Sequence, residues 1–158
     1  MFYKLRHFCL PTLMVLLIIF SILLMFTSIA IGNESILFIA NRSVPEVELS
    51  KSDIKAIYLG NRGQWSDGSR IRLATIKKSD IHKTVTRSFL KKTPSQFRAY
   101  WRKKLYTGEG KMPKSCSSET ALIEYVSANK GAIGYISSGI LPDSVKWIKT
   151  TDQRKEGK

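Results

Sequence analysis

The sequence predicts an α/β domain, a mixed or mainly parallel sheet covered by helices, behind an apolar N-terminal segment. Two observations carry this prediction. Beyond residue 33, short strand-like apolar runs alternate with stretches of helical period, the order that builds a sheet with helices on its faces. A chain of 158 residues also holds one domain of ordinary size. The expected division is residues 1–32 as a signal peptide or signal anchor helix, residues 33–150 as the folded domain and residues 151–158 as a polar tail.

Met1 to His7 is a short basic region containing Lys4 and Arg6, and Phe8 to Ile31 is an almost unbroken apolar run. Ser28-Ile29-Ala30 and Ala30-Ile31-Gly32 each place small residues where a signal peptidase reads, which fits a cleaved signal. The run also reaches the length of about 20 apolar residues that spans a bilayer, which fits an uncleaved anchor. In both readings the leading positive charges keep the N-terminus in the cytoplasm. The domain is then periplasmic or otherwise extracytoplasmic, tethered to the inner membrane by residues 8–31 if the segment is retained.

Ile36 to Ala40 is a continuous apolar run ending at Asn41, the pattern of a strand buried on both faces. Ser50 to Asp53 has the spacing of a capping box, and Ile54, Ile57 and Tyr58 share a helical face before Gly60. Asn61 to Ser69 reads as a loop around Trp65, and Ile71 to Ile76 alternates as a strand. A helix with Ile81, Val85, Phe89 and Leu90 on one face follows. Thr93-Pro94-Ser95 starts a third helix, with Phe97, Tyr100, Trp101 and Leu105 on its apolar face and Arg98, Arg102 and Lys103 on the other. Tyr106 to Ser118 reads as a loop, and Leu122, Tyr125 and Val126 mark a fourth helix stopped at Asn129-Lys130-Gly131. Ala132 to Ile136 and Val145 to Ile148 are strand-like, and Thr150 onward is polar. The expected core comprises Leu37, Ile39, Ile57, Leu73, Val85, Phe89, Phe97, Trp101, Leu122, Val126, Ile133 and Tyr135.

Lys4 and Arg6 are the only charged residues before Ile31, so 24 of the 26 basic residues and all 12 acidic ones belong to the rest, a formal charge of +12. Such a field favours anions, polyanions or anionic membrane surfaces. Cys9 lies at the start of the apolar run, which leaves Cys116 alone in the domain and excludes an intrachain disulfide after cleavage. No nucleophile–base pair, His/Cys cluster or carboxylate cluster is legible, so neither an enzyme, a metal nor a cofactor is expected.

The order of motifs resembles that of the phosphate substrate-binding proteins of ABC transporters: Leu49-Ser50-Lys51-Ser52-Asp53-Ile54 leading to Ile57-Tyr58-Leu59-Gly60, then Trp65-Ser66-Asp67-Gly68, Ile71 to Ile76, Ser95-Gln96-Phe97 with Tyr100-Trp101, and Gly131-Ala132-Ile133-Gly134-Tyr135. The resemblance covers roughly Ile36 to Ser137. It implies a type II periplasmic-binding-protein-like fold, of which this chain has length for a single lobe, and a tetrahedral oxyanion such as phosphate as ligand. It also implies that Trp65 packs at the edge of the domain. The family's anion loop follows the strand matching Ile71 to Ile76 and carries Gly-Ser-Gly-Thr. Here that stretch is Lys77-Lys78-Ser79-Asp80-Ile81-His82-Lys83-Thr84, so the lysines and the Ser-Asp pair match and Gly-Ser-Gly-Thr is absent.

The candidate anion-binding residues are Lys77, Lys78, Ser79, Asp80, Thr84 and Ser117. A helix start at Ser79 would direct backbone N–H groups and the positive end of the helix dipole at an anion, with ammonium groups beside it. The competing reading is plain helix capping by Ser79 or Asp80, whose carboxylate would repel an anion. Ser117, before the fourth helix, belongs to a segment that the family brings near its cleft. His82 reads as an exposed helical residue, and Gly131 and Gly134 as backbone devices.

Three functions fit these readings. One is an exported single-lobe oxyanion-binding protein, alone or as a transporter accessory with a second protein completing the cleft. Another is an envelope interaction protein, with a membrane-protein or other envelope partner, that has lost its ligand. The third is a basic polyanion-binding module. The helical spacing of Phe97, Tyr100 and Trp101 assigns these rings to a core, which argues against base stacking and a nucleic-acid partner.

Overall fold

The computed structural model describes Met14 and Val15, residues 36–137 and residues 141–151. The chain separates into two compact units, Met1–Asn33 and Glu34–Lys158, and the elements below belong to the second. The apolar run Phe8 to Ile31, read as signal or anchor, lies outside the described residues except for Met14 and Val15. Among the described residues no helix is long and apolar enough to cross a membrane.

Six strands form one sheet: β1 (Ile36–Asn41), β2 (Glu48–Ser50), β3 (Arg72–Ile76), β4 (Lys114–Cys116), β5 (Ala132–Ser137) and β6 (Val145–Thr151). Their order is β2-β6-β1-β5-β3-β4. Parallel pairs join β2 to β6, β5 to β3 and β3 to β4, whereas β1 is antiparallel to both β5 and β6. The central strand therefore runs against the other five, whose carboxyl ends all reach one edge of the sheet. The architecture is the expected mixed α/β sheet covered by helices.

Among the described residues of this unit four helices complete the fold: α1 (Lys51–Tyr58), α2 (Asp80–Ser88), α3 (Pro94–Tyr106) and α4 (Glu119–Ala128). Local chemistry sets their starts. Ser50 and Asp53 form a full capping box on α1, and Thr93 and Gln96 form another on α3, with Pro94 in the first turn. Ser79 and Ser118 cap α2 and α4 by accepting from His82 N–H and Ala121 N–H.

The continuous apolar run of β1 is buried on both faces, with Phe38, Ile39 and Ala40 fully inside. On one face Phe38 gathers Tyr58, Phe89 and Tyr135, with ring centroids 6.1, 5.0 and 6.2 Å away. On the other lies α4. A Cβ on Gly134 would sit 2.5 Å from Leu122 Cδ2, so the absence of a side chain there lets α4 approach the sheet. Asn41 fastens the far end of the same helix: its Nδ2 donates to Val126 O and Ser127 O, both at 2.8 Å. Two of the carbonyls that a helix end leaves free are satisfied in this way.

Several details differ from the sequence expectation. β2 and β4 fall in segments expected to be irregular; each is three residues long, too short to show a period. Thr150 and Thr151 extend β6 and pair with Leu49 and Ser50 of β2. Leu105, placed on the apolar face of α3, is 49% exposed, because the last turn of the helix projects past the core. Leu37, Leu73 and Phe89 are partly buried against the core, and the other nine residues of the expected list lie inside it. Trp65 is buried too, and its indole N–H donates to Gly131 O at 3.0 Å.

Candidate functional site

Ligands in α/β sheets bind beyond the carboxyl ends of strands, where helix N-termini converge. Here β3 ends at Ile76 and β4 at Cys116, and Lys77 N–H extends their pairing by donating to Cys116 O at 2.9 Å. The chain then turns through Lys78, whose φ of 49° lies in the left-handed region. Non-glycine residues seldom occupy that region, and they do so where surrounding structure enforces it, often at binding sites. Ser79 follows as the cap of α2, its Oγ accepting from His82 N–H at 3.2 Å.

A cleft of about 560 Å³ opens at this turn. Lys77, Lys78 and Ser79 line it, as do His82 and Lys83 from α2, Pro94, Phe97, Arg98 and Trp101 from α3, and Met112, Pro113 and Ser115 from the segment entering β4. The spacing explains the two helical contributions. Ser79, His82 and Lys83 stand at i, i+3 and i+4, and Pro94, Phe97, Arg98 and Trp101 at i, i+3, i+4 and i+7, so each set forms one stripe. Four cationic side chains reach the cleft, and no carboxylate among the described residues lines it.

Of the six candidate residues, Lys77, Lys78 and Ser79 come together at the cleft. Asp80 stands outside its lining, where its carboxylate takes Lys83 Nζ at 2.8 Å; that hydrogen bond and charge hold it below the usual aspartate range. Lys83, one of the four lining cations, is therefore already paired with a carboxylate. Thr84 Oγ1 donates to Asp80 O at 3.0 Å within its own helix. Ser117 is exposed beyond β4 and does not line the cleft; Ser115 does.

His82 and Arg98 are the residues that sequence reasoning missed. His82, expected to be exposed, is half-buried: its Nδ1 lies 2.5 Å from the Tyr135 hydroxyl, and its ring meets that of Phe97 edge-on at 5.8 Å. Burial lowers its pKa first and the nearby Arg98 guanidinium lowers it further. Arg98, expected on the outer face of α3, lines the cleft, and its register with Phe97 and Trp101 was the available signal. Burial pushes the Tyr135 phenol well above its ordinary pKa.

A second cleft, of about 590 Å³, lies where Arg70, Arg72, Lys111 and Lys114 gather beside Tyr125. Its charges are partly committed. Arg62 pairs with Glu46 at 2.5 Å and Asp53 at 3.6 Å, Arg72 donates to Asn129 Oδ1 at 3.4 Å, and Glu109 brings a carboxylate into the lining. It includes Arg72 at the start of β3, away from the carboxyl edge, so the first cleft is the better candidate.

No protein-family model and no curated protein matches the sequence. Solved structures do match the fold. An ABC-type phosphate transport receptor from Vibrio cholerae aligns with 73% of this chain and 45% of its own at 20% identity and a TM-score of 0.55. A putative phosphate ABC transporter substrate-binding protein with bound phosphate, from Clostridium perfringens, aligns over 73% and 44% at 19% identity and a TM-score of 0.57. PstS from Borrelia burgdorferi aligns over 73% and 47% at 15% identity and a TM-score of 0.58. The chain thus shares the fold of phosphate substrate-binding proteins and spans less than half the length of each.

Proposed function

We propose that this chain, with the fold of one part of a phosphate substrate-binding protein, is an exported single-lobe protein that binds phosphate or a related oxyanion at the turn after β3. The observation that carries the proposal is the cleft holding Lys77, Lys78, Ser79 and Arg98 with no carboxylate in its described lining. An arginine fork and ammonium groups beside a helix start form charge-assisted hydrogen bonds with an oxyanion. The missing Gly-Ser-Gly-Thr run is replaced in this reading by side-chain cations. Another lobe supplying the other wall of the cleft fits the share, under half, of the solved structures that this chain spans, and a second protein that provides it would make this chain a transporter accessory.

Isothermal titration of the full chain with phosphate and sulfate tests this function. Saturable binding that survives moderate salt supports it, and no heat beyond dilution overturns it. Binding of a polyphosphate alone, abolished by salt, favours a polyanion surface, the reading to which the second basic cleft lends support. Fusing Met1 to Asn41 to a reporter active only outside the cytoplasm tests export.

A further inference from the structure

We infer that the cleft between α2, α3 and the segment entering β4 takes an oxyanion carrying an apolar group, a phosphate monoester with an aromatic or bulky aliphatic substituent, in preference to free inorganic phosphate. The inference rests on the oxyanion reading above and names the ligand class for that same site.

Size is the first ground. A water occupies about 30 Å³ in the liquid, so a cleft of about 560 Å³ has room for much more than one tetrahedral ion. It falls within the span of small-molecule sites, which are mostly apolar with a few placed polar groups.

The division of its lining is the second. The cations come from the β3–α2 turn, from Lys83 and from Arg98, whereas Pro94, Phe97 and Trp101 of α3 together with Met112 and Pro113 supply a continuous apolar wall. Phe97 and Trp101 are almost wholly buried with rings 6.4 Å apart at 72°, so they make a firm floor. Met112, which borders both clefts, is 42% exposed. A bare oxyanion gains nothing from such a wall and loses water on approaching it. A monoester places its charged oxygens on Lys77, Lys78 and Arg98, and its substituent covers Met112 and the α3 stripe.

The commitments of the polar groups are the third. Thr75 Oγ1 donates to Lys114 O at 3.4 Å, whereas Ser79 Oγ accepts from His82 N–H and keeps its own O–H to donate. The Ser79 O–H therefore joins the cations of the β3–α2 turn, and donors gathered there suit a single anionic end.

Competitive titration of the full chain with phenyl phosphate, inorganic phosphate and phenol tests the inference. Phenyl phosphate is expected to bind about tenfold tighter than inorganic phosphate, the low end of what burying a phenyl group contributes, with phenol giving no saturable signal. Met112→Ala, at a partly exposed position of the wall, should erase much of that preference by weakening phenyl phosphate more than inorganic phosphate. Phe97→Leu, which keeps an apolar floor, should narrow it. Equal affinity for the two phosphates overturns the inference and leaves the oxyanion reading standing. No binding of either overturns both, and phenol binding as tightly as its phosphate shows a cleft that selects on apolarity alone.

Discussion

The hydroxyl of Tyr135 in β5 and Nδ1 of His82 in α2 are 2.5 Å apart, with their rings stacked at 11°. Burial keeps the phenol protonated, which leaves the hydroxyl a proton to donate to Nδ1 of a neutral ring. In that arrangement the neutral imidazole carries its proton on Nε2. The pair ties the sheet to the helix whose cap borders the cleft. Removing the donor in Tyr135→Phe is expected to cost about 0.5–1.5 kcal/mol of stability, the net worth of one hydrogen bond. It should also raise the His82 titration midpoint, since the bond favours the neutral ring. Denaturant unfolding and an NMR titration of the imidazole would read the two effects.

Acid should weaken the fold through His82. Its folded pKa lies below the ordinary value of 6.5, so below that value the unfolded chain takes up the proton first and stability falls with pH; above it this contribution is constant. The Arg98 guanidinium and the Tyr135 hydroxyl act on the ring, and a bound anion would offset the Arg98 charge. Sulfate, which does not titrate in this range, should therefore bind more tightly at pH 5.5 than at pH 7.5, with proton uptake. His82→Gln should flatten both profiles, measured by calorimetry in two buffers of different ionisation enthalpy.

At the cleft, Lys77→Ala and Arg98→Ala should each weaken oxyanion binding by about 1–3 kcal/mol, the range for a lost hydrogen bond to a charged group. Arg102→Ala, on the exposed face of α3, should change it little. Equal losses from all three, vanishing in salt, would reveal a diffuse field in place of a site. Ser79→Ala removes a helix cap as well, so its unliganded stability should fall by about 1 kcal/mol.

Lys78 holds a conformation that glycine adopts freely. Lys78→Gly should therefore leave the fold as stable as before or gain up to about 1 kcal/mol, the relief of a left-handed residue less the entropy of glycine. Anion affinity should fall in the same variant, because a cation is lost. A denaturant midpoint and a titration on one sample separate the two consequences.

Gly134→Ala would drive a methyl group into Leu122, and a loss of about 1–3 kcal/mol is expected from overpacking. Leu122→Ala should be costly by itself through the cavity it leaves. The two together should cost less than their sum, a coupling that a double-mutant cycle measures.

Long continuous runs made most of this fold legible in the sequence. Ile36 to Ala40 and Ala132 to Ile136 are apolar on both faces because both become interior strands, and the Ser50 and Thr93 caps mark helix starts within a residue. The edge strands Glu48–Ser50 and Lys114–Cys116 escaped notice because backbone pairing with a neighbour defines them, and three residues carry no period. At the cleft, Lys77 to Ser79 stood out as charge between a strand end and a cap. Arg98 did not, because it is exposed, as a basic residue on the outer face is expected to be, while its helical angle also puts it beside the stripe at the cleft. The partner of His82 lies 53 residues away, a separation that local spacing does not bridge.

The placement of β1 governs how the chain comes together in time. Ile36 pairs with Ser137 and Asn41 with Val145, so both neighbours of this strand are made long after it. During synthesis from the N-terminus, the strand at the middle of the sheet waits without partners while most of the domain is produced. Loops of this length close slowly, and contacts so distant along the chain lower folding rates. Meanwhile Ile36-Leu37-Phe38-Ile39-Ala40, apolar and free of charge, is the kind of segment that associates with copies of itself. Folding of this chain therefore has to keep that strand apart from its copies until β5 and β6 arrive.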